Sequence, residues 1–156
     1  MAARSEPTTK PARAELAITR VLDAPRELVF AAWTDPARLA QWFGPEGFTA
    51  AVHHMDARPG GTYRFCMHAP DGGEHWVHGT YREIVAPERL VFTWIRENSD
   101  GIGVETVVTV TLLADGERTT LTLHHALFDS VAVRDSHQGG WSSCLDHRLT
   151  RYLATA

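Results

Sequence analysis

The chain has 156 residues, 44% hydrophobic and 22% charged, a balance that suits one globular domain with its own core and excludes a disordered or fibrous chain. The formal net charge is −4 and no basic stripe is interleaved with aromatics, so no nucleic-acid partner is expected. No apolar run approaches the ~20 residues of a spanning helix, so no membrane is expected either.

Residues 1–14 (MAARSEPTTKPARA) are polar, contain Pro7 and Pro11, and lack the apolar core of a signal peptide. They are predicted to form a flexible tail ahead of a single domain at 15–156. Cys66 and Cys144 are too few for a disulfide framework, and both are expected as reduced thiols in the cytoplasm.

Residues 15–23 alternate through Leu16 and Ile18 as a first strand. Pro25 suits the first turn of a helix over 26–33, which places Leu28, Val29, Ala32 and Trp33 on one side. Asp35-Pro36 then caps a second short helix running to Trp42, which Phe43-Gly44-Pro45 breaks. Six strands follow, predicted at 48–55, 62–67, 75–85, 89–96, 104–113 and 118–128. Turn signals at Arg58-Pro59-Gly60-Gly61, Asp71-Gly72-Gly73, Ala86-Pro87-Glu88 and Asp115-Gly116 separate most of them. Gly79 is read as a bulge in the fourth strand. Such consecutive hairpins imply an antiparallel sheet.

The chain ends in a helix predicted at 135–153, capped by Asp135 or Ser136. There Trp141, Leu145, Leu149 and Tyr152 recur at steps of four, four and three, which draws one apolar stripe. That stripe needs a wall, and the sheet is the available one. The predicted fold class is α+β: a curved antiparallel sheet of about seven strands wrapped around a long C-terminal helix, with two short helices after the first strand.

This order resembles the helix-grip fold of the SRPBCC, or START-like, superfamily. Several strings narrow the resemblance: Trp42-Phe43-Gly44-Pro45 with Gly47-Phe48, Gly60-Gly61-Thr62-Tyr63-Arg64-Phe65, Gly79-Thr80-Tyr81-Arg82-Glu83-Ile84, Pro87-Glu88-Arg89-Leu90-Val91-Phe92-Thr93-Trp94, Leu121-Thr122-Leu123-His124-His125 and Gly140-Trp141. In this order and spacing they are similar to the family named for the activator of the heat-shock-protein-90 ATPase (C-terminal-domain type), over roughly 16–153. The resemblance implies a cavity between the final helix and the sheet, and a small apolar or aromatic ligand within it. Phe92, Trp94, Tyr63, Phe65 and Trp141 are expected to converge there. Trp33, Trp42, Phe43, Tyr81, His125 and Leu145 complete the candidate ligand-binding set. The competing reading of each aromatic is plain core packing. The resemblance also admits an enzyme of the cyclase or hydratase type, with His125 and Tyr81 as acid–base groups, and a chaperone-binding role resembling that of the namesake. A monomer or homodimer is expected.

Strand alternation turns His125 inward beside Leu121 and Leu123, either toward a ligand or as a buried imidazole satisfied by a neighbour such as Tyr81 or a backbone carbonyl. Nine histidines invite a metal, but His53-His54 are adjacent and His75 and His78 are three apart, so each pair diverges on a strand. Cys66 and Cys144 are not expected to join them, and neither a metal nor a cofactor is predicted. No Gly-x-Ser-x-Gly elbow, phosphate loop or dinucleotide fingerprint occurs. Ser143 and His147 fall at the spacing of an ordinary helix-surface pair.

Overall fold

The computed structural model describes residues 13–98 and 101–156. Most of the predicted tail lies outside these residues, and Ala14 already opens the first strand. The elements run β1 (Ala14–Leu22), α1 (Arg26–Thr34), α2 (Pro36–Leu39), β2 (Thr49–Met55), β3 (Thr62–His68), β4 (Glu74–Val85), β5 (Arg89–Arg96), β6 (Thr106–Asp115) and β7 (Arg118–Phe128). A continuous helical run follows: α3 (Val131–Ser143), a π-helical segment (Cys144–Leu149) and α4 (Thr150–Thr155).

The seven strands form one sheet in the order β1-β7-β6-β5-β4-β3-β2, antiparallel throughout. The first strand therefore returns to pair with the last, while α1 and α2 carry the chain across to the opposite edge. Register shifts in β1 near Ala14, in β2 between Val52 and His54, and in β4 between Tyr81 and Glu83 add local bends to the sheet. The curved sheet, its C-terminal helix and the short helices after β1 make up the helix-grip fold.

Period-two alternation decides which side chains face the helix. Leu16, His125, Val108 and Phe92 are successive cross-strand partners, and all four are buried. Ile18, Leu123, Val110 and Leu90 form the next row. Asp35 caps α2 by accepting from the amides of Ala37 and Arg38, and Pro36 occupies the first position, where a missing N–H costs nothing.

Two local expectations are corrected. The final helix begins at Val131, earlier than predicted, because Ser130 is its cap and accepts from the Val133 amide at 3.1 Å. Its buried stripe is His137, Trp141, Leu145, Leu149 and Leu153, all at steps of four, whereas Tyr152 is half-buried. Four residues overshoot one α-helical turn by about 40°. The wider π turn absorbs part of that drift, and the Thr150 hydroxyl donates to the Leu145 carbonyl at 2.8 Å.

The second correction concerns Gly79. The register of β4 is regular there and shifts instead beside Arg82, between Tyr81 and Glu83. Gly79 serves close approach: a Cβ would lie 2.0 Å from the Thr93 carbonyl oxygen and 2.8 Å from the Tyr63 hydroxyl. The missing side chain is what allows the buried Tyr63 hydroxyl to donate to that same carbonyl. Gly79→Ala should therefore cost at least about 2 kcal/mol in urea unfolding, because it crowds a strand pair and breaks a buried hydrogen bond. Gly72→Ala would provide a comparison in open space, with only its positive φ at stake.

Candidate functional site

The final helix and the sheet are bound by two reciprocal indole–imidazole hydrogen bonds. Trp141, on α3, donates through Nε1 to Nδ1 of His125 on β7 at 3.0 Å. Trp94, on β5, donates through Nε1 to Nε2 of His137 on α3 at 3.2 Å. Each acceptor nitrogen must lack a proton, which fixes both tautomers. His125 Nε2–H then donates to the Thr106 hydroxyl at 2.7 Å, and that hydroxyl in turn donates to the Trp94 carbonyl at 2.8 Å. His137 Nδ1–H donates to the Val133 carbonyl at 2.9 Å. His125 is fully buried, and desolvation, with smaller contributions from His137 and His124, pushes its pKa well below the ordinary histidine value.

Beside this brace a cleft of about 280 Å³ opens between α3 and the sheet. Phe43, Gly44, Pro45 and Phe48, from the loop after α2, form one side. Met67, His75, Trp94 and Arg96 rise from β3, β4 and β5. Ser136, His137, Gly140, Trp141 and Cys144 descend from the helical run. Gly140 keeps the helix side thin: a Cβ there would meet only Pro45, at 3.7 Å. On the sheet side two polar groups meet, where Arg96 donates to His75 Nδ1 at 3.1 Å.

The loop is held over the cleft by the end of the helical run. Arg148 donates to the carbonyls of Phe43 (2.7 Å) and Gln41 (3.3 Å), and the Cys144 thiol points at the Trp42 carbonyl at 3.7 Å. The Ser143 hydroxyl accepts from the Glu46 amide at 2.9 Å, so this serine is an anchor for the loop. Arg151 grips the Glu46 carboxylate at 2.6 and 2.9 Å and holds it below the usual carboxylate range. Burial pushes the Cys144 thiol up to about 12, so it stays protonated and inert.

Of the eleven residues expected at a ligand site, Phe43, Trp94 and Trp141 line the cleft. Trp33 and Trp42 pack behind them, edge to face at 4.8 Å, with Trp42 Nε1 donating to the Ala32 carbonyl. Phe65 touches Phe43 at 5.1 Å and stacks on Tyr63 at 4.7 Å. Tyr63, Tyr81 and Phe92 continue this buried row beyond Phe65, with ring centroids 5.4–5.9 Å apart. Leu145 is fully buried in the core. His125 lies behind Trp141, and its partners are Trp141 and Thr106, not Tyr81. Phe48, Met67, His75, Arg96, Ser136, His137 and Gly140 also line the cleft and lie outside the expected ligand-binding set. Of these, His137 was the one within reach, one step of four before Trp141.

A curved antiparallel sheet closed by a C-terminal helix, with a mostly apolar cleft between them, defines a protein of the SRPBCC superfamily. The chain matches the family described as Activator of Hsp90 ATPase homolog 1-like protein over residues 23–154, and it belongs to that family. A crystal structure of a Chromobacterium violaceum protein is 31% identical, with 89% of this chain and 96% of that one covered at a TM-score of 0.81. The AHSA1 protein of Silicibacter pomeroyi is 28% identical over 91% of this chain and 99% of its own, also at 0.81. A protein from Arthrobacter aurescens, 23% identical at a TM-score of 0.79 over 91% and 87%, shares the fold. No curated protein is a significant match in sequence.

The buried, neutral His125 sets a pH dependence. Its folded pKa is depressed, so the unfolded chain binds the extra proton first as pH falls below about 6.5. Its contribution to stability is present above that value and declines toward the folded pKa. The melting temperature should fall between pH 7 and pH 5, and the slope should be shallower in His125→Gln, as followed by circular dichroism.

Proposed function

We propose that this protein binds a small, largely apolar, ring-bearing ligand in the cleft between α3 and the sheet, beneath the loop of Phe43 to Phe48. The observation that carries this reading is the composition of the walls. Phe43, Phe48, Trp94 and Trp141 present aromatic surface, while Arg96 and His75 supply polar groups on one side. A few placed polar groups in an apolar concavity are the usual character of a small-molecule site. A volume of about 280 Å³ lies at the lower end for such sites, so a one- or two-ring compound fits better than a sterol. The polar side favours a ligand with one acceptor or acidic group, such as a phenol or an aromatic carboxylate.

Acid–base catalysis by His125 gains no support from this geometry. Both of its nitrogens are engaged, it is fully buried, and it is not among the residues that line the cleft. The family match favours one other reading, stimulation of a heat-shock-protein-90-type ATPase.

The test is thermal melting and tryptophan fluorescence against flavonoids, fatty acids, sterols and aromatic acids. A ligand at 100 times its Kd should add about 2.7 kcal/mol of stability. Gly140→Leu fills the cleft from the helix side and should abolish that gain while the unliganded protein still melts cooperatively. A gain undiminished in Gly140→Leu would move the binding site elsewhere. ATPase stimulation by the purified chain, with a flat ligand panel, would favour the chaperone reading instead.

A further inference from the structure

A cluster of potential donor side chains lies on the outer face of the sheet. Cys66 and His68 are two residues apart on β3, so both side chains leave the same face. Glu74, on β4, is the direct cross-strand partner of His68, and such pairs bring their Cβ atoms to about 5 Å. The Cys66 sulfur, a His68 ring nitrogen and a Glu74 carboxylate oxygen all lie within 4.8 Å of one another. Trp76, opposite Cys66, walls the cluster and donates through Nε1 to Glu74 Oε1 at 3.3 Å. The Arg64 guanidinium covers the Trp76 ring at 4.0 Å, and Arg64 and His78 hold the neighbouring Glu97.

Thiolate, imidazole and carboxylate are the three donor types that a zinc-like cation takes together, at about 2.0–2.3 Å each. Donors around such a tetrahedron stand roughly 3.3–3.8 Å apart, so the observed cluster needs to close by about an ångström. Turning the side chains of the half-buried His68 and the exposed Glu74 supplies that movement. One thiolate and one carboxylate also neutralise a dication. We propose that the β3–β4 hairpin binds a divalent cation of the zinc type through Cys66 Sγ, His68 and Glu74, with water in the fourth position. Trp76 acts behind the ligands, steering the carboxylate through its N–H.

Binding replaces the thiol proton: the S–H bond breaks, the sulfur–metal bond forms, and the proton goes to solvent. Because the thiol proton must leave, affinity should fall as the pH is lowered. The other face of the same hairpin carries Met67 and His75, which line the cleft, so a bound cation would stiffen one cleft wall.

The experiment titrates the full-length, reduced, untagged chain with Zn(II) by calorimetry and with Co(II) by absorption. One equivalent should bind, with release of a proton and a sulfur-to-cobalt charge-transfer band in the near ultraviolet. Cys66→Ser should remove the band, and His68→Gln should weaken binding by about tenfold or more. His147→Gln should leave both readings unchanged. If Cys66→Ser unfolds, the half-buried position of His68 keeps the test open through His68→Gln. No charge-transfer band, or a band and affinity that persist in the two site variants, would overturn the proposal.

Discussion

Packing a helix against a sheet with tryptophans at the contact creates a specific difficulty, because a buried indole brings an N–H that water can no longer satisfy. Here each layer supplies the acceptor for the other. Trp141 descends from the helix to His125 on the sheet, and Trp94 rises from the sheet to His137 on the helix. The Thr106 hydroxyl carries the chain of donors on to the Trp94 carbonyl. The brace requires both imidazoles to accept, so it also specifies their protonation state. Ring contacts between His125, His137 and Phe128 at 4.2–5.3 Å fill the space between the bonds. Rotation of the helix about its axis would break both hydrogen bonds at once, so the brace fixes which helix residues face the cleft.

The cleft is a consequence of that fixed orientation. Gly140, one residue before Trp141, lies where a larger side chain would meet the Phe43–Phe48 loop. Over the next three turns, Ser143, Cys144, Arg148 and Arg151 fasten the same loop through its backbone and through Glu46. The loop is thus held close without its side chains filling the space beneath. Bonds to backbone carbonyls are indifferent to the side chains they carry, so Phe43, Pro45 and Phe48 are left to shape the wall.

The sheet was legible in the sequence because half-buried strands repeat every two residues and glycine-rich turns separate them. Residues 89–96 and 118–128 were read with the bounds that the structure gives. The start of the last helix was not, because Val131 and Val133 read as strand-like residues and the capping role of Ser130 depends on backbone geometry. Its stripe was followed back only as far as Trp141, since His137 breaks the apolar pattern while continuing the spacing. The outer-face cluster is not legible from alternation alone: Cys66 and His68 share a face at a spacing of two, but Glu74 joins them only through the register of the hairpin.

Four of the five tryptophans stand in a continuous line: Trp42 to Trp33 at 4.8 Å, Trp33 to Trp141 at 6.1 Å, and Trp141 to Trp94 at 5.3 Å. Chromophores this close share excitation, so their optical transitions belong to the row and not to single rings. The row should imprint an exciton couplet on the circular dichroism spectrum, one that distorts any helix content read from it. Light absorbed by Trp42 can migrate to Trp94 before it is emitted. Trp76 has no place in that row and lies beneath the Arg64 guanidinium at 4.0 Å.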